Sequence, residues 1–201
     1  MANATGTPNN DTITPAFISP GVAGGPPDAG NDSVFADSGD DSVDGGAGND
    51  SLSGWFGADT LRGGIGNDSL LGLFGNDLFI ADSGRDTLLG EDGDDSFDLN
   101  GASNLADWVI NGGVGNDIAD LIEGTLELGS TLPFLNIEVL DTYLTVFVGT
   151  TGNDLYDFRP FNTFSPNFAL PAALRELRAN AGADTVYASN TDLEPLTRLT
   201  T

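Results

Sequence analysis

From Pro27 to Asp98 the chain repeats every nine residues, without insertion, for eight lines. The lines begin at Pro27, Ala36, Gly45, Gly54, Gly63, Gly72, Ala81 and Gly90. The fourth position is always glycine: Gly30, Gly39, Gly48, Gly57, Gly66, Gly75, Gly84 and Gly93. The sixth is always aspartate: Asp32, Asp41, Asp50, Asp59, Asp68, Asp77, Asp86 and Asp95. The eighth is always a large apolar residue: Val34, Val43, Leu52, Leu61, Leu70, Phe79, Leu88 and Phe97. A fixed short period of this kind marks a solenoid, in which each repeat packs only on its neighbours.

The local physics of one line follows from its residue types. The last three positions, such as Ser51-Leu52-Ser53, form a short strand whose alternation sends the middle side chain inward. The first six form a turn, where glycine supplies positive φ and close backbone approach. Two lines close one coil, so lines two apart stack at about 4.8 Å, the inter-strand spacing. One turn ladder then holds Asp32, Asp50, Asp68 and Asp86, and the other Asp41, Asp59, Asp77 and Asp95. The expected architecture is all-β, a right-handed parallel β-roll.

Carboxylates stacked at strand spacing repel one another strongly unless a counterion separates them. A hard divalent cation between successive turns removes that cost. Calcium suits the place, because it accepts 6–8 oxygens and tolerates irregular geometry, whereas magnesium demands a strict octahedron. Each Asp can offer one oxygen to the ion above and one to the ion below. Turn carbonyls complete the shell, from the fourth-position glycines and from first-position glycines such as Gly45 and Gly63. Four stacked turns leave three gaps per ladder, so two ladders predict about six ions. With one inward apolar side chain per line, the core is too thin to fold the segment alone, and metal binding should be coupled to folding.

Each line fits G-G-x-G-x-D-x-U-x, with U a large apolar residue, and in this the segment resembles the RTX (repeats-in-toxin) family of calcium-binding β-rolls. The resemblance implies calcium as the ion and export by type I secretion without a cleaved N-terminal signal. It therefore implies an extracellular or cell-surface location. Some lines depart from the pattern. The first glycine is replaced by Pro27, Ala36 or Ala81, and the second by Asp28, Asp37, Trp55, Leu73, Asp82 or Glu91. An EF-hand is excluded, because the run from Asp40 has Ser42 and Ser51 where ligands belong.

Composition narrows the function. The net charge of −25 opposes binding to nucleic acid or anionic membranes and favours cations. With no Cys and no His, thiol nucleophiles, Ser-His-Asp triads and the common zinc sites are absent. No run of 18 apolar residues suggests membrane insertion. "MANATGTPNNDTITP" lacks the basic and apolar regions of a cleaved signal peptide. Only 26 residues precede the repeats, and the paired carboxylates are committed to the roll, so the expectation is a protein that is not an enzyme.

The flanks are less regular. Residues 1–26 read as an N-terminal arm containing a degenerate turn with Asp11 in the metal column. Residues 99–201 read as irregular coils or a β-rich cap, with apolar runs "FLNIEVL" and "YLTVFVG". Three further partial repeats put Asp117, Asp154 and Asp184 in the metal column, so calcium could also bind in this half. Pro171 to Ala179, "PAALRELRA", is the one short helix expected.

In two stacked lines the turn carries bulk: "GWFGAD" and "GLFGND". Trp55, Phe56, Leu73 and Phe74 should form one apolar cluster outside the turns, an interface covered by the chain's own second half or by a neighbouring subunit. The leading expectation is a secreted calcium-binding structural protein that self-associates into a surface layer or filament. The alternative is a monomeric calcium-binding module or an adhesin or polysaccharide-binding fragment.

Overall fold

The computed structural model describes residues 3–121, except 16, 21, 81, 101–104, 106 and 107, and beyond these Asn136, Ile137 and the backbone of short strands. The strands, in chain order, are β1 (Asn3–Thr5), β2 (Thr12–Thr14), β3 (Phe17–Ile18), β4 (Ala23–Gly24), β5 (Ser33–Phe35), β6 (Ser42–Asp44), β7 (Ser51–Phe56), β8 (Thr60–Arg62), β9 (Ser69–Phe74), β10 (Leu78–Ile80), β11 (Thr87–Asp92), β12 (Ser96–Asp98), β13 (Val109–Val114) and β14 (Ile118–Leu121). They continue as β15 (Gly124–Glu127), β16 (Phe134–Leu135), β17 (Val139–Thr142), β18 (Thr145–Val148), β19 (Leu155–Asp157), β20 (Leu174–Arg178), β21 (Thr185–Tyr187) and β22 (Leu199–Thr200).

Alternate strands go to opposite walls. One sheet runs β16-β13-β11-β9-β7-β5-β1-β4, the other β17-β14-β12-β10-β8-β6-β2-β3. Within the roll the pairing is parallel, and lines two apart pair residue for residue, as in Ser51↔Ser69 and Leu52↔Leu70. The eighth-position side chains, from Val34 to Phe97, are all at most 2% exposed and form one thin core between the walls. Phe79 and Phe97 stack within it at 4.8 Å. The all-β parallel roll expected from the period is therefore the fold.

The N-terminal residues belong to this architecture. β1 and β2 pair in parallel with β5 and β6, so Asp11 opens a first coil. The chain then doubles back: β3 pairs antiparallel with β2, and β4 antiparallel with β1. The Pro/Gly-rich arm thus pairs with its own roll and covers both end strands, which would otherwise present open edges.

Beyond the regular roll, strands replace the one predicted helix. The helix expected at Pro171 to Ala179 is corrected: Leu174–Arg178 is strand β20, paired in parallel with β18 and β22. A nine-residue helix is marginal without tertiary support, whereas two flanking strands satisfy this backbone directly. "FLNIEVL" and "YLTVFVG" supply β16, β17 and β18, as their composition predicts. No helix among the described residues is long and apolar enough to cross a membrane.

Candidate metal centre

The fourth-position glycines set the turn. Gly66 has φ +144°, and a Cβ on it would overlap the carbonyl of Gly48, one coil back. No other residue meets both demands. The turn then delivers the sixth-position Asp inward, where each is at most 3% exposed.

The two ladders form as the period predicts, and they are knitted by hydrogen bonds. The backbone N–H of each Asp donates to Oδ1 of the Asp one coil on. In one ladder Asp32 donates to Asp50, Asp50 to Asp68, and Asp68 to Asp86, at 2.8–2.9 Å. In the other, Asp11 donates to Asp41, then Asp41 to Asp59, Asp59 to Asp77, Asp77 to Asp95 and Asp95 to Asp117, at 2.6–2.8 Å. Asp11 and Asp117 therefore extend the second ladder at its two ends. Asp154 and Asp184 lie outside the described residues.

The second carboxylate oxygen is different. Oδ2 of Asp41, Asp50, Asp59, Asp68, Asp77 and Asp95 is buried with no hydrogen-bond partner. At Asp50, Asp59, Asp68, Asp77 and Asp95 it lies against the place a Cβ would take on the glycine that opens the same turn. The position a Cβ would take on Gly45 lies 2.6 Å from Asp50 Oδ2 and 2.8 Å from the carbonyl oxygen of Gly63 in the next coil. The same two kinds of oxygen meet at Gly72 (Asp77 Oδ2 and the Gly90 carbonyl) and at Gly90 (Asp95 Oδ2 and the Gly112 carbonyl). Two buried acceptors facing one space with no donor between them are destabilising unless a cation joins them. These hard oxygens suit calcium. No three acidic side chains converge among the described residues, so such a centre needs backbone carbonyls in its shell.

Electrostatics describes the same strain. Burial first, with added repulsion from neighbouring carboxylates, raises Asp41 and Asp77 from 3.8 to about 7, against the lowering effect of the backbone N–H that each accepts. Asp50, Asp59, Asp68 and Asp95 rise to about 6 for the same leading reason. A folded pKa above the unfolded value means that the cation-free roll takes up protons on folding. That contribution is complete below about pH 4 and is lost as pH rises through 6 to 7. Protons and calcium compete for the same oxygens. The calcium midpoint for folding should therefore rise as pH falls from about 7.5 to 5.5, while the cation-free chain gains structure. Calcium titrations followed by circular dichroism at several pH values check this; a pH-independent midpoint contradicts it.

Three features were not read from the sequence. At the top of each ladder the protein supplies its own donor: Asp28 N–H bonds Asp32 Oδ2, and Thr7 N–H bonds Asp11 Oδ2, both at 2.6 Å. At the other end, Trp108 follows Asp86 in the first ladder. Val109 N–H bonds the Asp86 carbonyl, as Thr87 N–H bonds that of Asp68, so Trp108 stands where the next Asp would be. Its indole N–H caps the Gly84 carbonyl at 2.7 Å. The third is a counter-running ladder at the fifth position. Asn31 Oδ1 accepts from Asn49 N–H, Asn49 from Asn67, and Asn67 from Arg85. The Asn/Asp bias of that column was the available signal.

A model of the RTX calcium-binding nonapeptide repeat matches this segment in four copies, at residues 28–61, 37–70, 62–97 and 71–105. Residues 28–105 are RTX repeats. No curated protein and no solved structure matches the chain. RTX nonapeptide repeats bind calcium, the hard cation that such oxygens suit. The apolar turns of the RTX roll also lie as expected: Trp55 pairs with Leu73 and Phe56 with Phe74. The Phe56 and Phe74 rings stack at 4.8 Å, and Trp55 meets Phe56 edge-on at 5.6 Å.

Proposed function

We propose that this chain is a non-enzymatic extracellular structural protein whose RTX roll is assembled by calcium. The observation that carries this reading is the set of six unpartnered, buried Oδ2 atoms. They correspond to six gaps: Asp41–Asp59, Asp59–Asp77, Asp77–Asp95 and Asp95–Asp117 in one ladder, Asp50–Asp68 and Asp68–Asp86 in the other. Asp11 and Asp32 have an internal donor for Oδ2, and Trp108 closes the first ladder, so neither the starts of the ladders nor the end of the first adds a gap. Oδ2 from one coil and first-position carbonyls from the next, including Gly63, Gly90 and Gly112, hold each ion. The fourth-position glycines, Gly30 to Gly93, shape the turns and add carbonyls.

The chain leaves the cell self-repelling and unfolded where calcium is scarce, and folds where it is millimolar. The antiparallel closure by β3 and β4 favours a discrete module, or assembly through the sides of the roll, over end-to-end filament growth. Equilibrium dialysis of the full chain at neutral pH should find at least six calcium ions bound per chain. Three or fewer would overturn the reading.

A further inference from the structure

We propose that the turn strip of Trp55, Phe56, Leu73 and Phe74 docks a basic segment of another protein. In its seat, guanidinium or ammonium groups lie between the Phe74 ring and the carboxylates of the next coil. The strip is exposed: Trp55 by 36%, Phe56 by 46% and Phe74 by 43%. The inner faces of Phe56 and Phe74 cover each other, so the outer face of Phe74 looks along the column. The next residues in that column are acidic, with Phe74 paired to Asp92 and Leu73 to Glu91, both exposed. An aromatic face with a carboxylate one strand spacing away is a seat for a cation. On the far side, Asp37 occupies the same turn position one coil before Trp55.

The bulk is held at a conformational cost. Trp55 and Leu73 have φ +89° and +85°, where the opposite turns place Gly46 and Gly64 at the same position. Charge selects the occupant. The whole chain carries 31 acidic residues against six Arg, net −25, so a second copy would bring mostly acid against this acidic rim. A basic, apolar segment meets both halves of the surface.

A fluorescein-labelled peptide of alternating Leu and Arg, titrated with the full chain in calcium at physiological salt, tests this by anisotropy. A peptide with Glu in place of Arg is the control. Phe56→Ser/Phe74→Ser leaves net charge unchanged, and circular dichroism verifies that the variant folds with calcium. If it does not fold, Trp55→Gly replaces it, because glycine accepts that φ. Saturable wild-type binding, weakened at least tenfold in the variant and absent with the Glu peptide, supports the proposal. Equal binding by both chains, which would mean general charge attraction, overturns it. So does a failure to saturate. A calcium-dependent dimer in sedimentation that the substitution abolishes, or a Trp55 shielded from acrylamide in the free protein, also overturns it, by assigning the strip to a second copy or to the chain itself.

Discussion

Asp59→Asn should weaken calcium-driven folding and yet leave the calcium-free chain no less stable. Asn keeps Oδ1, which accepts the Asp41 N–H at 2.8 Å. It replaces the orphaned Oδ2 with an NH2 group that donates into the same space and repels a cation. One ion should be lost, and the calcium midpoint should rise about 10–100-fold, the range for a lost charge-assisted contact. Without calcium the variant is relieved of a buried charge whose pKa stands at about 6, so its residual structure at neutral pH should equal or exceed that of the parent. Asp59→Ala separates the two roles of the side chain. It removes the acceptor as well, strands the Asp41 N–H, and should be destabilised in calcium beyond the Asn variant. Titrations by circular dichroism with parallel ion counting distinguish the cases. An Asn variant that matches the parent in both conditions contradicts the assignment.

The fold was legible because each column states one physical demand. Glycine at position four marks a turn that no side chain fits. The apolar eighth position marks the interior, and Asp at position six marks a charge in need of a partner. Their constant spacing gives the pairing of lines two apart and both ladders directly. Where the spacing changes, that signal fails. Asp11 donates to an Asp 30 residues on, and Asp95 to one 22 residues on, instead of 18. These sites were visible only as lone motifs. The longer spacing between Asp86 and Trp108 hides the fact that an aromatic residue holds an Asp position. The doubling back of β3 and β4 rests on backbone pairing rather than on any periodic pattern, and the Pro/Gly-rich composition there suggested only irregular structure. At Leu174–Arg178, leucines three apart fit a helix face, but parallel neighbours in space decide for a strand. The apolar turns were legible as a cluster; their positive φ and the acid beside Phe74 were not.

Removing calcium should abolish the roll. Ten Asp residues, Asp11 to Asp117, are buried in two columns at strand spacing, and only one apolar side chain per line lies between the walls. The hydrogen bonds of the ladder occupy one carboxylate oxygen, and at Asp41, Asp50, Asp59, Asp68, Asp77 and Asp95 the other is left with burial and repulsion uncompensated. At pH 7.5 protons replace the missing cation only in small part, since the raised pKa values are about 6 to 7, and salt screens buried pairs poorly. Unfolding hydrates every carboxylate at once, so the loss should be cooperative across the ladders.

The most direct test is the far-UV circular dichroism of the full chain at pH 7.5 in EGTA, before and after excess calcium, with magnesium at the same concentration as the control. The ladder account predicts a disordered spectrum in EGTA, a β spectrum restored by calcium, and little recovery with magnesium. A β spectrum retained in EGTA would show that the ladders fold without a cation, and would contradict it.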